Sequence, residues 1–175
     1  MCYDGATKKR EDLSLMSDRA TELANRFTIA NDELVNVIAN ATDAQLQATC
    51  PGETWPVLVT ARHVAISFRV VGSWIRHVAK GEDVVATRAQ IDEGNALHAQ
   101  ASATFTRDEV LVLLRENGAK VAETIRNLTD EQLATSAVMA PAQGNRLTAD
   151  QVVKHVLIKH ITDHLMGIRA AFGQA

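Results

Sequence analysis

Thr148-Ala149-Asp150-Gln151-Val152-Val153-Lys154-His155-Val156-Leu157-Ile158-Lys159-His160-Ile161-Thr162-Asp163-His164 is the stretch on which the reading of the fold turns. It opens with a capping box, in which the Thr148 hydroxyl and the Gln151 amide each serve the other's backbone N–H. At about 100° per residue, His160 and His164 lie about 40° apart on one face, one turn from each other. Val153, Val156, Leu157, Gly167 and Ala171 share that face, while Lys154, His155, Lys159 and Arg169 project elsewhere. The stretch is therefore a helix, running from Thr148 to near Gly173. It carries two imidazoles inward, in the middle of a stripe that should be core.

The rest of the chain follows the same helical period. Of its 175 residues, 46% are hydrophobic and only 4% aromatic, a balance that suits packed helices better than a β-sandwich. The three prolines, Pro51, Pro56 and Pro141, fall at or outside the ends of the periodic stretches. A first helix is predicted from Ser17 to Ala41, with Phe27, Ile29, Leu34, Val37 and Ile38 as its apolar residues. A second opens at Thr54, with Pro56 in its first turn where a missing N–H costs little, and ends near Gly81. A third opens on the capping box Thr106-Arg107-Asp108-Glu109 and runs to Asn127. Residues 1–14 are expected to be a flexible segment, and the whole of 1–175 a single all-α domain.

Two features bear on topology. Ile38-Ala39-Asn40-Ala41-Thr42-Asp43-Ala44-Gln45-Leu46 echoes Ile125-Arg126-Asn127-Leu128-Thr129-Asp130-Glu131-Gln132-Leu133. The echo reads equally as two related helical hairpins or as a recurrent cap for one helical turn. The link from Glu82 to Phe105 is long for a bundle connection and can carry the chain back along the bundle. Helices two and three are then parallel, and helix four is antiparallel to helix two.

That arrangement matters for a third histidine. Around His63, residues Val59, Ile66, Val70, Val71, Trp74 and Val78 fall within about 80° on the helical wheel, so this ring too faces the core. His63 stands about 14 Å from the start of helix two, and His164 and His160 about 14 and 20 Å from the end of helix four, levels that match in an antiparallel pair. Three imidazoles in one layer of an aliphatic core need partners for their ring nitrogens, and a divalent ion serves all three at once. His63, His160 and His164 are accordingly the expected metal ligands.

The remaining polar residues read more plainly. His155 faces solvent, and His77 lies about 21 Å along the axis from His63, too far to share an ion. His98, in the long link, carries no reading. Asp163 is a solvated carboxylate, with acceptance from a ligand imidazole as the alternative. Arg62, Arg69 and Arg76 form a stripe that reads as a solvated flank of helix two, with binding of a carboxylate as the alternative. Trp74 is assigned to the core. Cys2 and Cys50 make no disulfide framework and lie outside the helices that carry the three histidines.

Composition argues against several function classes. A net charge of −3 gives no general attraction to nucleic acid or anionic membrane. The first residues hold no apolar core of signal-peptide length, and the most apolar stretch, Pro56 to Ala79, is broken by three arginines. The chain is expected to be soluble and cytoplasmic.

Trp55-Pro56-Val57 ahead of Ala61-Arg62-His63-Val64-Ala65 resembles the entry to helix two in the DinB-like metalloprotein superfamily. Val153 to His164, with the trailing Gly167-Ile168-Arg169, is similar to that family's last helix. The resemblance spans essentially the whole chain and implies an up-down-down-up four-helix bundle, often dimeric, with zinc or nickel held by three side chains. Among the relatives are S-transferases and isomerases that use mycothiol, bacillithiol or a similar low-molecular-weight thiol. The ligand positions carry over to His63, His160 and His164. One departure concerns the mycothiol-dependent maleylpyruvate isomerases, which have a glutamate where His160 stands and an added C-terminal domain. That difference bears on isomerase activity, not on the metal site.

Three neutral imidazoles leave a divalent ion its full charge and open positions, a setting in which a bound thiol or water loses its proton readily. The expected activity is therefore metal-dependent transfer of a cofactor thiol to a small electrophile. Two alternatives stand: a metal-dependent hydrolase, and a module in which the ion only ties helices two and four together.

Overall fold

The computed structural model describes residues 17–52, 54–101 and 105–173. The predicted flexible segment 1–14 and Cys2 lie outside them. Four long helices form the bundle: α1 (Asp18–Asn40), α3 (Val57–Val78), α5 (Arg107–Arg126) and the composite α7. The last begins as Ala149–Gln151, passes through a π-helical stretch over Val152–Ile158, and ends as Lys159–Ala171. Between them stand α2 (Asp43–Gln47), α4 (Arg88–Ala101), α6 (Asp130–Ala134) and a hairpin of β1 (Ser136–Met139) with β2 (Asn145–Thr148).

Capping chemistry sets most of the boundaries. Ser17 accepts from the Ala20 N–H to open α1. Capping boxes open α2 at Thr42, α5 at Thr106, α6 at Thr129 and α7 at Thr148. The two echoing segments thus form equivalent five-residue helices, each after a long helix. Helix two starts later than Thr54, at Val57, because Thr49 bridges Pro56, the Cys50 N–H bonds the Trp55 carbonyl, and the Val57 N–H bonds Ala48. Those bonds hold Pro56 outside the helix, at φ −59° and ψ 153°.

Long-range contacts fix the direction of each helix. Arg107 at the start of α5 pairs with Asp43 just past the end of α1, at 2.7 Å, so α1 and α5 are antiparallel. Arg19 in the first turn of α1 pairs with Asp150 in the first turn of α7, and Arg169 pairs with Glu33, so α1 and α7 are parallel. Asn117 donates to the Ala65 carbonyl, and a Cβ on Gly72 would stand 3.0 Å from Val121, which runs α3 parallel to α5. The order is up-down-down-up. Around the bundle α1 neighbours α5 and α7, and α3 does the same, so the consecutive helices α1 and α3 lie on a diagonal.

The core between them is aliphatic, with Leu23, Leu34, Ile38, Ile75, Leu114, Ile125, Leu157 and Ile161 fully buried and Phe27 meeting Phe68 edge-on at 5.2 Å. Each such side chain contributes about 1.5–3 kcal/mol through its removal from water. Two buried asparagines tie the helices: Asn117 to Ala65, and Asn31 to the Leu114 carbonyl at 3.2 Å. Gly118 permits the second, since a Cβ there would stand 2.6 Å from the Asn31 amide. Ile29, one of the apolar residues read on this helix, is 68% exposed, because the buried stripe of α1 passes through Phe27, Ala30, Asn31 and Leu34 instead.

The link from α3 to α5 is not bare loop. Its residues 88–101 form α4, which carries the chain back to the opposite end of the bundle. α4 buries none of its described side chains. Ahead of it, Val84 joins β1 through the Val84 N–H to Val138 and the Ala140 N–H to Val84, both at 2.9 Å. This small sheet, absent from the all-helical expectation, closes the end of the bundle where α3 finishes and α7 begins. No helix among the described residues is long and apolar enough to cross a membrane.

Candidate metal centre

α3 and α7 bring the three expected histidines together. His63 projects from the second turn of α3, and His160 and His164 project from α7 just beyond its π stretch. Ring centroids are 5.1 Å apart for His63 and His160, 5.2 Å for His63 and His164, and 4.4 Å for His160 and His164. One ligating nitrogen from each lies within 4.8 Å of the others, and all three residues are half-buried. Among the described residues no other group of three such side chains forms.

The electrostatics keep the cage ready for a cation. Burial, and then the neighbouring His160, His164 and His98 rings, hold His63 down at about 3. Burial first and His164 second hold His160 down at about 4. Both rings are therefore neutral near pH 7, with lone pairs available. His160 Nε2 is buried and has no hydrogen-bond partner in the protein. Native interiors rarely leave such an atom unsatisfied, so the donor set and the orphaned nitrogen both fit a divalent ion.

Two further residues stand beside the cage: Trp55, which the sequence offered only as part of the entry motif of helix two, and His98, which carried no reading. Trp55 packs on His63 at 5.2 Å, and His98, reaching in from α4, lies 5.8 Å from both rings. Both His98 nitrogens are engaged: Nδ1 faces Arg62 Nη1 at 2.6 Å and Nε2 faces the Val59 carbonyl at 3.2 Å. Arg62 donates and Val59 accepts, so the proton of the neutral ring resides on Nε2. Arg62 itself corrects the solvated-flank reading. It is half-buried, its guanidinium stacks 3.5 Å over Phe105, and its Nε is buried without a partner. Arg69 and Arg76 are exposed as expected.

The other expectations resolve simply. His155 is exposed, and His77 pairs with Glu82 at 2.7 Å at the far end of α3. Asp163 is exposed and pairs with Lys159, so it does not serve the cage. Cys50 is buried. Trp74 is only half-buried, because it lines a cleft that begins at the three imidazoles. That cleft, about 860 Å³, runs between α3, α4, α7 and the turn after β1, with Ile66, Val70, Trp74, Ile91 and Met139 among its walls.

Comparison with known proteins agrees with the four-helix architecture. The family model of the DinB superfamily matches residues 26–166, and the chain belongs to that superfamily. No curated protein sequence matches it. Among solved structures it is similar to YfiT from Bacillus subtilis, described as a probable metal-dependent hydrolase with an unusual four-helix bundle topology. The TM-score is 0.70 at 19% identity, over 91% of each chain. It is also similar to the mycothiol-dependent maleylpyruvate isomerase, with a TM-score of 0.68 at 14% identity over 85% of this chain. The chain spans 60% of that isomerase's length. At these identities the likeness is one of fold.

Proposed function

We propose that this member of the DinB superfamily holds one divalent ion, zinc or nickel, through His63, His160 and His164, and catalyses transfer of a low-molecular-weight thiol to a small electrophile. The observation that carries the reading is the cage of three imidazoles, two of them held neutral by burial and one with an orphaned nitrogen, opening directly into a cleft. Such an ion supplies a positive charge that favours the thiolate over the thiol.

The protein's own residues supply the rest. Trp55 and His98 flank His63 and limit its rotation. Ile66, Val70 and Trp74 give the cleft beside the cage a largely apolar wall. The thiol comes from a cofactor, because Cys50 is buried and does not line the cleft. Hydrolysis, suggested by the likeness to YfiT, ranks second. No carboxylate lines the cleft among the described residues, and both His98 nitrogens are engaged, so no free general base stands ready. A purely structural ion ranks third, since closed coordination would not call for a cleft. A homodimer belongs to the same proposal.

Elemental analysis of the purified protein beside His160→Ala tests the site. About one equivalent of zinc or nickel in the wild type, lost in the variant, supports it. Metal-loaded protein that consumes a thiol and a model electrophile together supports transfer. Absence of metal from both proteins, with none taken up on titration, sinks the proposal.

A further inference from the structure

The cleft has a chemical character that the cage alone does not explain. From the three imidazoles it follows α3 past Ile66, Val70 and Val71 to Trp74, and is closed by Ile91 of α4 and by Met139, Pro141 and Ala142. His63 to Trp74 is eleven residues, so the apolar track is about 16 Å long at the helical rise. Its volume, about 860 Å³, falls within the range of small-molecule sites. Arg88 is the only formally charged side chain among its described lining, and it pairs with Asp92 at 3.0 Å. No unpaired cation waits at the far end for a second carboxylate. Val70, at the mouth, leaves 45% of its surface exposed, an apolar area with nothing on it.

We infer that the electrophile taken by this chain is an amphiphile: a polar, metal-ligating head seated at the histidines and an unbranched or aryl apolar body lying along the track to Trp74 and Met139. The head depends on the proposed metal site; the body depends only on the cleft. A zigzag chain with bonds near 1.5 Å advances about 1.25 Å per carbon, so about thirteen carbons span the track. A compact dicarboxylate is a poor fit, because its second charge would lie against valine, tryptophan and methionine without a partner. α4 buries none of its described side chains yet forms one wall of the track.

The test is calorimetric titration of straight-chain hydroxamates, from about two to about eighteen carbons, into metal-loaded and chelated protein. Affinity should rise about threefold to fourfold per methylene and level off near about thirteen carbons in both forms, with the metal adding a constant factor. Val70→Asp, a change at an exposed position, should flatten that rise while leaving acetohydroxamate binding to the loaded protein unchanged. A chain-length rise with no metal increment would keep the cleft assignment and refute the metal site. Acetohydroxamate that binds the loaded protein as tightly as its longer homologues would overturn the amphiphile and spare the metal site. No length dependence in either form overturns the inference outright.

Discussion

Acid is the perturbation that best separates a pre-set cage from three histidines that merely share a surface. A ring must lose its proton to ligate, so metal affinity falls with pH according to how many rings are protonated. Three rings at the ordinary 6.5 would each be neutral about eight times less often at pH 5.5 than at pH 7, and together would weaken binding about 600-fold. His63 is held at about 3 and His160 at about 4, both by burial first. At pH 5.5 these two remain neutral, leaving at most one ring of the three to be stripped of a proton. Affinity should therefore fall far less than about 600-fold over the same interval. Competition against a chromophoric chelator, calibrated at each pH, measures the ratio. A loss of several hundredfold would show that the cage is hydrated and open in solution, and the argument from burial would fail.

Further expectations follow from the same structure. Free metal at a hundred times its dissociation constant should add about 2.7 kcal/mol, raising the melting temperature by about 5–10 °C, and His164→Ala should abolish the shift. In chelated protein the two depressed histidines make stability pH-dependent. The unfolded chain takes up protons below about 6.5 while the folded chain does not, so stability is full above that pH and is lost as pH falls toward 4 and then 3. By pH 5 the loss should reach up to about 2 kcal/mol per ring, read from urea midpoints at pH 7 and 5. Asp150→Ala should cost about 2–3 kcal/mol, because its carboxylate, 6% exposed, joins Arg19 at 2.9 Å and Lys154 at 3.0 Å. Gly118→Ala should destabilise by about 1–2 kcal/mol despite alanine's better helix propensity, since the added methyl meets the Asn31 amide; an unchanged melt would refute that packing.

Much of the bundle was readable because local signals agreed with one another. Threonine caps with Glu or Gln three residues on marked the starts of α5 and α7, and the length of the link between α3 and α5 dictated a return crossover and hence parallel middle helices. The inward histidines followed from helical phase. Ile29 misled because the wheel gives the width of an apolar face but not which flank a neighbour covers. The π stretch of α7 left no trace, since Val152 to Ile158 has the composition of any apolar helix and the wider turn arises from packing.

His98 marks the deeper limit. Its neighbours on α4 have no apolar stripe strong enough to place them, and a histidine without a phased partner in sequence carries no information about depth. Its position is set from outside the segment. The chain leaves α3 at the end opposite the start of α5, and the crossover that returns it passes along the face where α3 and α7 meet, with Ile91 and His98 lining one cleft with His63 and His160. That path lays α4 beside the open side of the cage, where Arg62 and the Val59 carbonyl engage both His98 nitrogens. The connection that determines the topology thus also supplies a wall of the cleft. In this fold the order of the helices and the composition of the site are one constraint. A shorter link, which would force α5 to run antiparallel to α3, would remove the wall along with the crossover.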